Sequence, residues 1–289
     1  MSNLFDSGIR PIVDNYLLKQ AAERRDYGDY WSASSAGYCM RKNIFERLQV
    51  PYVTEDARKQ RVFSSGHIFH AWIQDITKQA GLSIAQELEL QDEELMIRGH
   101  IDDLVLVGGA KPGEVLPFKG KVGGDDYNEV VKSAQPHLIL YDYKTAHSRS
   151  FTYSKGRPMS HYHKYQLATY MLMLRQLMGE PVKPAELDDL PELVEARILT
   201  ISKDDLRMDE KQLMWSEELS SEVRDYWTEL NKWWKEKKLP PCTCADHEGG
   251  FMAKEQYNPY WYEGEPCSIA WFTEWKESNK VKENSNGRE

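Results

Sequence analysis

Several things this chain lacks narrow what it can be. It has no apolar run near the roughly 18 residues that span a bilayer. Its start, Met1-Ser2-Asn3-Leu4-Phe5-Asp6, has neither the basic nor the apolar block of a secretory leader. Cysteine is scarce, with four in 289 residues, so a disulfide framework is not what holds a chain of this size together. The expectation is a reducing, cytoplasmic setting with no membrane partner. An excess of basic residues is also missing. The net charge of −9 argues against a protein that coats polyanions over its whole surface, but it leaves room for a local positive groove. There is no Gly-x-x-x-x-Gly-Lys-Ser/Thr phosphate loop, and no internal repeat is visible. What remains, at 40% hydrophobic and 29% charged residues, is a globular chain long enough for one large domain or two modest ones.

The pattern of residues predicts an α/β fold, a mixed central sheet flanked by helices. Helices are expected over residues 10–27, over 36–48 behind the capping pair Ser34-Ser35, and over 56–80, ended by Gly81. Alternation over 84–90 and β-compatible residues over 94–107 predict neighbouring strands. Residues 108–135 are rich in glycine, lysine and acids and read as a long surface loop of the kind that guides a substrate. A strand over 137–144 follows, then a helix over 159–178 closed by Gly179-Glu180-Pro181, a strand over 196–202, and one long helix over 208–237 stopped by Pro240-Pro241. The expected division is a helical region at 1–80 contributing Cys39 and His70, a core at 81–205, a helix and cysteine lobe at 206–275, and a polar, disordered tail at 276–289.

The strand Leu138-Ile139-Leu140-Tyr141 ends in Asp142-Tyr143-Lys144. Side chains on a strand alternate, so Asp142 and Lys144 share a face. A lone Asp-x-Lys on a strand edge is ordinarily a solvated ion pair, but this one has company. Gly99-His100-Ile101-Asp102-Asp103 lies on the preceding strand pair, and only one of Asp102 and Asp103 can turn toward Asp142. Two carboxylates on neighbouring strands suit Mg²⁺ or Mn²⁺, which prefer oxygen ligands, and a nearby lysine suits water attack on a phosphodiester. Upstream, His67 and His70 share a helical face. A zinc pair is one use of them, and an imidazole supplied by His70 to the carboxylate site is another. For His67 the expectation is a partly buried, hydrogen-bonded histidine. Downstream, Gln166 and Tyr170 stand one helical turn apart, where an amide and a phenol can hydrogen-bond a phosphate or base.

Gly66-x-x-x-His70, Gly99-x-x-Asp102, Asp142-x-Lys144 and Gln166-x-x-x-Tyr170, in this order, resemble the motif set of the RecB-like branch of PD-(D/E)XK nucleases. The resemblance implies a restriction-endonuclease-like core acting as a Mg²⁺- or Mn²⁺-dependent exonuclease on DNA, with single-stranded ends as substrate. It assigns the metal to His70, Asp102, Asp142 and the backbone carbonyl of Tyr143. It makes Lys144 catalytic with Gln166 and Tyr170 in support, and it chooses Asp102 over Asp103. It further implies a phage or prokaryotic setting, in the cytoplasm, with a recombination or CRISPR-adaptation partner.

The four cysteines are Cys39, ahead of these motifs, and Cys242, Cys244 and Cys267, beyond them. Four thiolates in a reducing compartment suggest a soft-metal site, and spacing alone favours zinc. One N-terminal cysteine with a C-terminal trio is similar instead to the iron–sulfur exonucleases encoded beside CRISPR loci and to AddB-type helicase–nucleases. That resemblance implies a [4Fe–4S] cluster in a helical lobe built from both termini, although Cys242-x-Cys244 and then a long gap to Cys267 is looser than the compact grouping of those families. His247 is a spare ligand. Trp31, Tyr38, Trp261, Tyr262, Trp271, Phe272 and Trp275 lie near the same ends, where they are expected to wall the lobe or to stack on unpaired bases.

Overall fold

The computed structural model describes residues 8–22, 28–53, 56–107, 120–122, 125–127, 136–245, 254 and 258–286. Helix α1 (Ile9–Ala22) leads to a short strand β1 (Trp31–Ser32), a 3-10 turn (Ala33–Ser35), α2 (Met40–Arg47) and α3 (Ala57–Gln79). Strands β2 (Ser83–Asp92) and β3 (Ile97–Val107) form a hairpin, and β4 (Gly120–Val122) and β5 (Asp125–Tyr127) pair separately. Then come β6 (His137–Ala146), α4 (Ser148–Ser154), α5 (His161–Gly179), β7 (Leu193–Ser202), β8 (Met208–Met214), α6 (Glu217–Lys235) and α7 (Ile269–Asn286).

The main sheet has six strands in the order β1-β3-β6-β7-β8, with β2 on the other edge of β3. It is mixed, as expected. β6 and β7 run parallel, while β2–β3, β3–β6 and β7–β8 are antiparallel. The parallel pair requires a crossover, which α4 and α5 supply. Helix α5 is buried without a break from Gln166 to Leu174, lying between the sheet and α6. Its apolar run Leu167-Ala168 and Met171-Leu172-Met173-Leu174 permits this double coverage. Helix α6 is amphipathic, burying Leu219, Val223, Trp227 and Leu230 at helical spacing, and Trp227 Nε1 donates to Thr169 Oγ1 at 3.1 Å. The opposite face of the sheet is covered by α3, whose Ile73 packs with Tyr143, Leu199 and Ile201.

Two expectations need correction. The helix expected over 208–237 is a strand and a helix. Met208–Met214 alternates exposed and half-buried residues as the edge strand β8, and α6 begins only after Ser216, whose hydroxyl accepts the Leu219 N–H. The Lys and Glu residues of β8 favour helix locally, but pairing with β7 prevails. The tail from Lys276, expected to be disordered, continues α7 through Asn286. Its polar residues include good helix formers, and neither Gly nor Pro interrupts them before Gly287. The helix expected over 10–27 ends at Ala22, with residues 23–27 outside the described set. The one expected over 36–48 begins later, at Met40, because Ala33–Ser35 form the 3-10 turn. Most of the 108–135 loop lies outside the described residues.

The two ends of the chain meet. Cys39, Phe45 and Val50 cluster with Cys244, Tyr260 and Cys267, and Trp271, Phe272 and Trp275 pack around them. The Phe45 and Phe272 rings stack at 5.0 Å, and Trp271 Nε1 donates to the Pro51 carbonyl. Of the other aromatics expected here, Tyr262 packs against Trp271. Trp31 instead lies in the main core, where it donates to Asn231 Oδ1 at 2.7 Å.

Candidate active site

The site lies where two strands part. β3 and β6 pair from Val107↔His137 to Asp103↔Tyr141 and no further, and the first residues of β3 pair with β1 instead. Asp102 sits at this fork. Its Oδ2 accepts the backbone N–H of Tyr143 at 2.5 Å, so the carboxylate takes the place of the missing ladder bond. Asp103, one residue on, faces the other side of the sheet. It is fully buried and accepts from Thr77 Oγ1 (2.6 Å), Ser83 Oγ (2.6 Å) and the Tyr143 hydroxyl (2.9 Å).

Asp142 is buried on the Asp102 side. Lys144 Nζ stands 2.9 Å from its Oδ1 and 2.7 Å from its Oδ2, and Gln166 Nε2 donates to Oδ1 at 3.0 Å. His70 on α3 places Nδ1 3.7 Å from Asp102 Oδ2. The helix approaches closely because position 66 is glycine. A Cβ there would stand 3.3 Å from Thr145 Oγ1. Tyr170 is buried in the core with its ring against Gly99.

The electrostatics follow from burial. Asp142 is pushed up to about 6, with burial the largest cause, Lys144 opposing it and the Asp102 carboxylate adding to it. Burial would lower the Lys144 amine, but Asp142 and then Asp102 more than reverse this, and the ammonium is held above its usual range. His163, one turn before Gln166, is driven down to about 4 by burial, with Lys144 adding to the shift, so it is neutral near pH 7. Sequence reading missed His163, although its spacing of three from Gln166 puts both on one helix face.

These residues open on a groove of about 880 Å³ between α3 and the β1–α2 segment. Arg47, Lys144 and Lys203 line it together with one carboxylate, Glu46, but Lys144 is paired with Asp142 and the Arg47 side chain is buried and paired with Asp29. His67 also lines the groove and is exposed, where the sequence predicts a partly buried, hydrogen-bonded histidine.

The donors suit a hard divalent cation: two carboxylates, an imidazole, and Asp142 Oδ2, which is buried with Lys144 as ion partner but no directed hydrogen bond among the described residues. His70, Asp102 and Asp142 are less tightly gathered than the cysteines. Among the described residues, only the four thiols have ligand atoms all within 4.8 Å of one another.

At that second site Cys39 Sγ lies 3.9 Å from Cys242 Sγ, and Cys244 Sγ lies 3.5 Å from Cys267 Sγ. Hydrogen bonds from the other thiols hold Cys39 far below the thiol range, while the same network holds Cys267 far above it. Four sulfurs this close cannot all ionise without a cation among them. Asn258, missed in the sequence for want of any motif around it, donates to both Cys244 and Cys267 Sγ at 3.5 Å. His247 lies outside the described residues. A tetrahedral ion with bonds of about 2.3 Å sets its thiolates ~3.8 Å apart. The two spacings of 3.5 and 3.9 Å are close to that value.

No known family matches the sequence, and no curated protein does. A solved structure, the crystal structure of SSO0001, aligns over 82% of this chain and 90% of that one, with 14% sequence identity and a TM-score of 0.44. No helix among the described residues is long and apolar enough to cross a membrane.

Proposed function

We propose that this protein is a divalent-metal-dependent deoxyribonuclease that hydrolyses phosphodiester bonds, acting as an exonuclease on single-stranded DNA ends. One observation carries the reading. Asp102 and the Asp142–Lys144 pair, far apart along the chain, meet at a fork in the sheet with His70 and Gln166 attached. His70, Lys144 and Gln166 of that meeting place line a groove that also carries Lys203.

His70, Asp102 and Asp142 would hold Mg²⁺ or Mn²⁺, which when bound supplies charge stabilisation and a more acidic water. The protein's own groups do the rest. Gln166 fixes the rotamer of Asp142, and the Tyr143 N–H fixes that of Asp102. Lys144, kept charged by Asp142, presents an ammonium to the phosphoryl oxygens, whose charge rises as the nucleophile adds. Lys203 on the groove wall attracts the polyanion.

The test is degradation of end-labelled single strands with Mn²⁺. Wild type shortens them, and Lys144→Ala slows this by about 10²-fold or more. Equal rates would remove Lys144 from the chemistry. Covalently closed circular single strands survive an exonuclease, so their loss would assign endonuclease action instead.

For the cysteines we propose a four-thiolate metal centre that staples the chain ends. Their spacing favours a single ion such as Zn²⁺ over the [4Fe–4S] cluster that the family resemblance implies. Colourless protein with one equivalent of zinc is the expected result. Brown, iron-containing protein with broad visible absorption would reverse the choice and leave the nuclease reading untouched.

A further inference from the structure

Helix α3 carries Phe63, Gly66, His67 and His70 on one face, at spacings of three and four, and all four line the groove. Phe63 lies two turns from His70, about 10 Å along the helix axis. It is 62% exposed. The other exposed apolar residues toward the C-terminal part of this helix, Ile68, Trp72 and Ile76, emerge on the opposite side. Phe63 is therefore not part of that stripe.

Of the other groove aromatics, Tyr30 is held by its hydroxyl, which donates to Glu93, and three more have their rings engaged. Tyr38 is stacked on Tyr162 at 4.7 Å and carries Lys42 Nζ 4.3 Å from its ring centroid. Tyr52 packs edge-on to Tyr260. Trp31 is buried between Arg47 and Trp234. An exposed phenyl ring thus stands in the groove that holds His70, Lys144 and Gln166.

We infer that Phe63 is a stacking platform for an unpaired nucleobase of the strand whose phosphate is held at Asp102, Asp142 and Lys144. The inference rests on the nuclease reading and adds to it a base-binding subsite. Aromatic faces bind bases of any sequence, whereas a base inside a duplex already has both faces covered. The ring thus selects for single strands without selecting a sequence. Val62, also exposed and groove-lining, extends the apolar surface beside it.

The test is fluorescence anisotropy of the full chain with a labelled single strand, with Ca²⁺ in place of Mn²⁺. Phe63→Ala weakens binding of the intact strand about tenfold, within the range for loss of one base stack. The same strand with abasic sugars near its end binds wild type and variant equally, and Phe63→Trp restores affinity for the intact strand. Equal affinity of wild type and Phe63→Ala for the intact strand would overturn the inference. So would an equal loss on the abasic strand, which would make Phe63 a contact for the backbone or for another protein. If wild type cuts with Mn²⁺ while Phe63→Ala is unchanged in binding, only the stacking subsite fails. If wild type neither binds nor cuts, the nuclease reading fails and takes the subsite with it.

Discussion

Asp102 and Asp103 are neighbours of identical chemistry with opposite surroundings. Asp103 satisfies three hydroxyl donors in a dry layer between α3 and the sheet. Removing it strands those donors, so Asp103→Ala is expected to cost about 3 kcal/mol of stability, read from urea unfolding. Asp102→Ala is expected to leave stability within about 1 kcal/mol of wild type and to abolish Mn²⁺ binding in a calorimetric titration. The reverse pattern would exchange the two roles. His163 gives a pH signature. Folded, it is held down to about 4, while in the unfolded chain it takes up its proton near 6.5. Its contribution is complete above 6.5 and is lost as the pH falls from there through 4, by about 3 kcal/mol. Melting temperatures between pH 7.5 and 4 should show this acid limb, and His163→Gln should flatten it.

At the scale of elements, the site depends on how closely β3, α5 and the 3-10 turn approach one another. Gly99 sets that distance. A Cβ there would lie 2.8 Å from the Ala33 Cβ and 3.0 Å from the Tyr170 ring. Gly99→Ala is expected to cost about 1–3 kcal/mol and to shift α5, which carries Gln166, lowering activity along with melting temperature. Wild-type stability in this variant would show that the contact is slack. This packing also explains what the sequence could and could not tell. The helices capped by Asp56 and closed by Gly179, and the strands around Leu88 and Leu140, were legible from period and punctuation. The Asp142–Lys144 pairing followed from strand alternation. β8 was not legible, because its charged residues read as helix until a partner strand is known. Spacing tells which face of α5 Tyr170 occupies, but not that its ring packs against Gly99 there. Asn258 and His163 belong to no motif, and their partners come from distant segments.

At the scale of the molecule, the thiol site joins segments 203 residues apart. Around it, Arg41 donates to the Pro240 carbonyl, and the Val53 N–H donates to the Pro259 carbonyl. A metal held by the proposed four-thiolate centre would offset the entropy of closing so long a loop. Cys39→Ser is expected to lose about one equivalent of metal and to lower the melting temperature by about 10 °C or more, measured by elemental analysis and calorimetry. Retained metal with an unchanged melt would make the cysteines bystanders. The order of synthesis adds a further consequence. Cys39 leaves the ribosome early, in a segment that also walls the groove, and waits for Cys267 before its partners are complete. Until then its thiol is open to oxidants and to stray ions. If the proposed metal centre forms, a cell short of that metal would accumulate chains whose sheet has formed but whose groove wall is still unanchored.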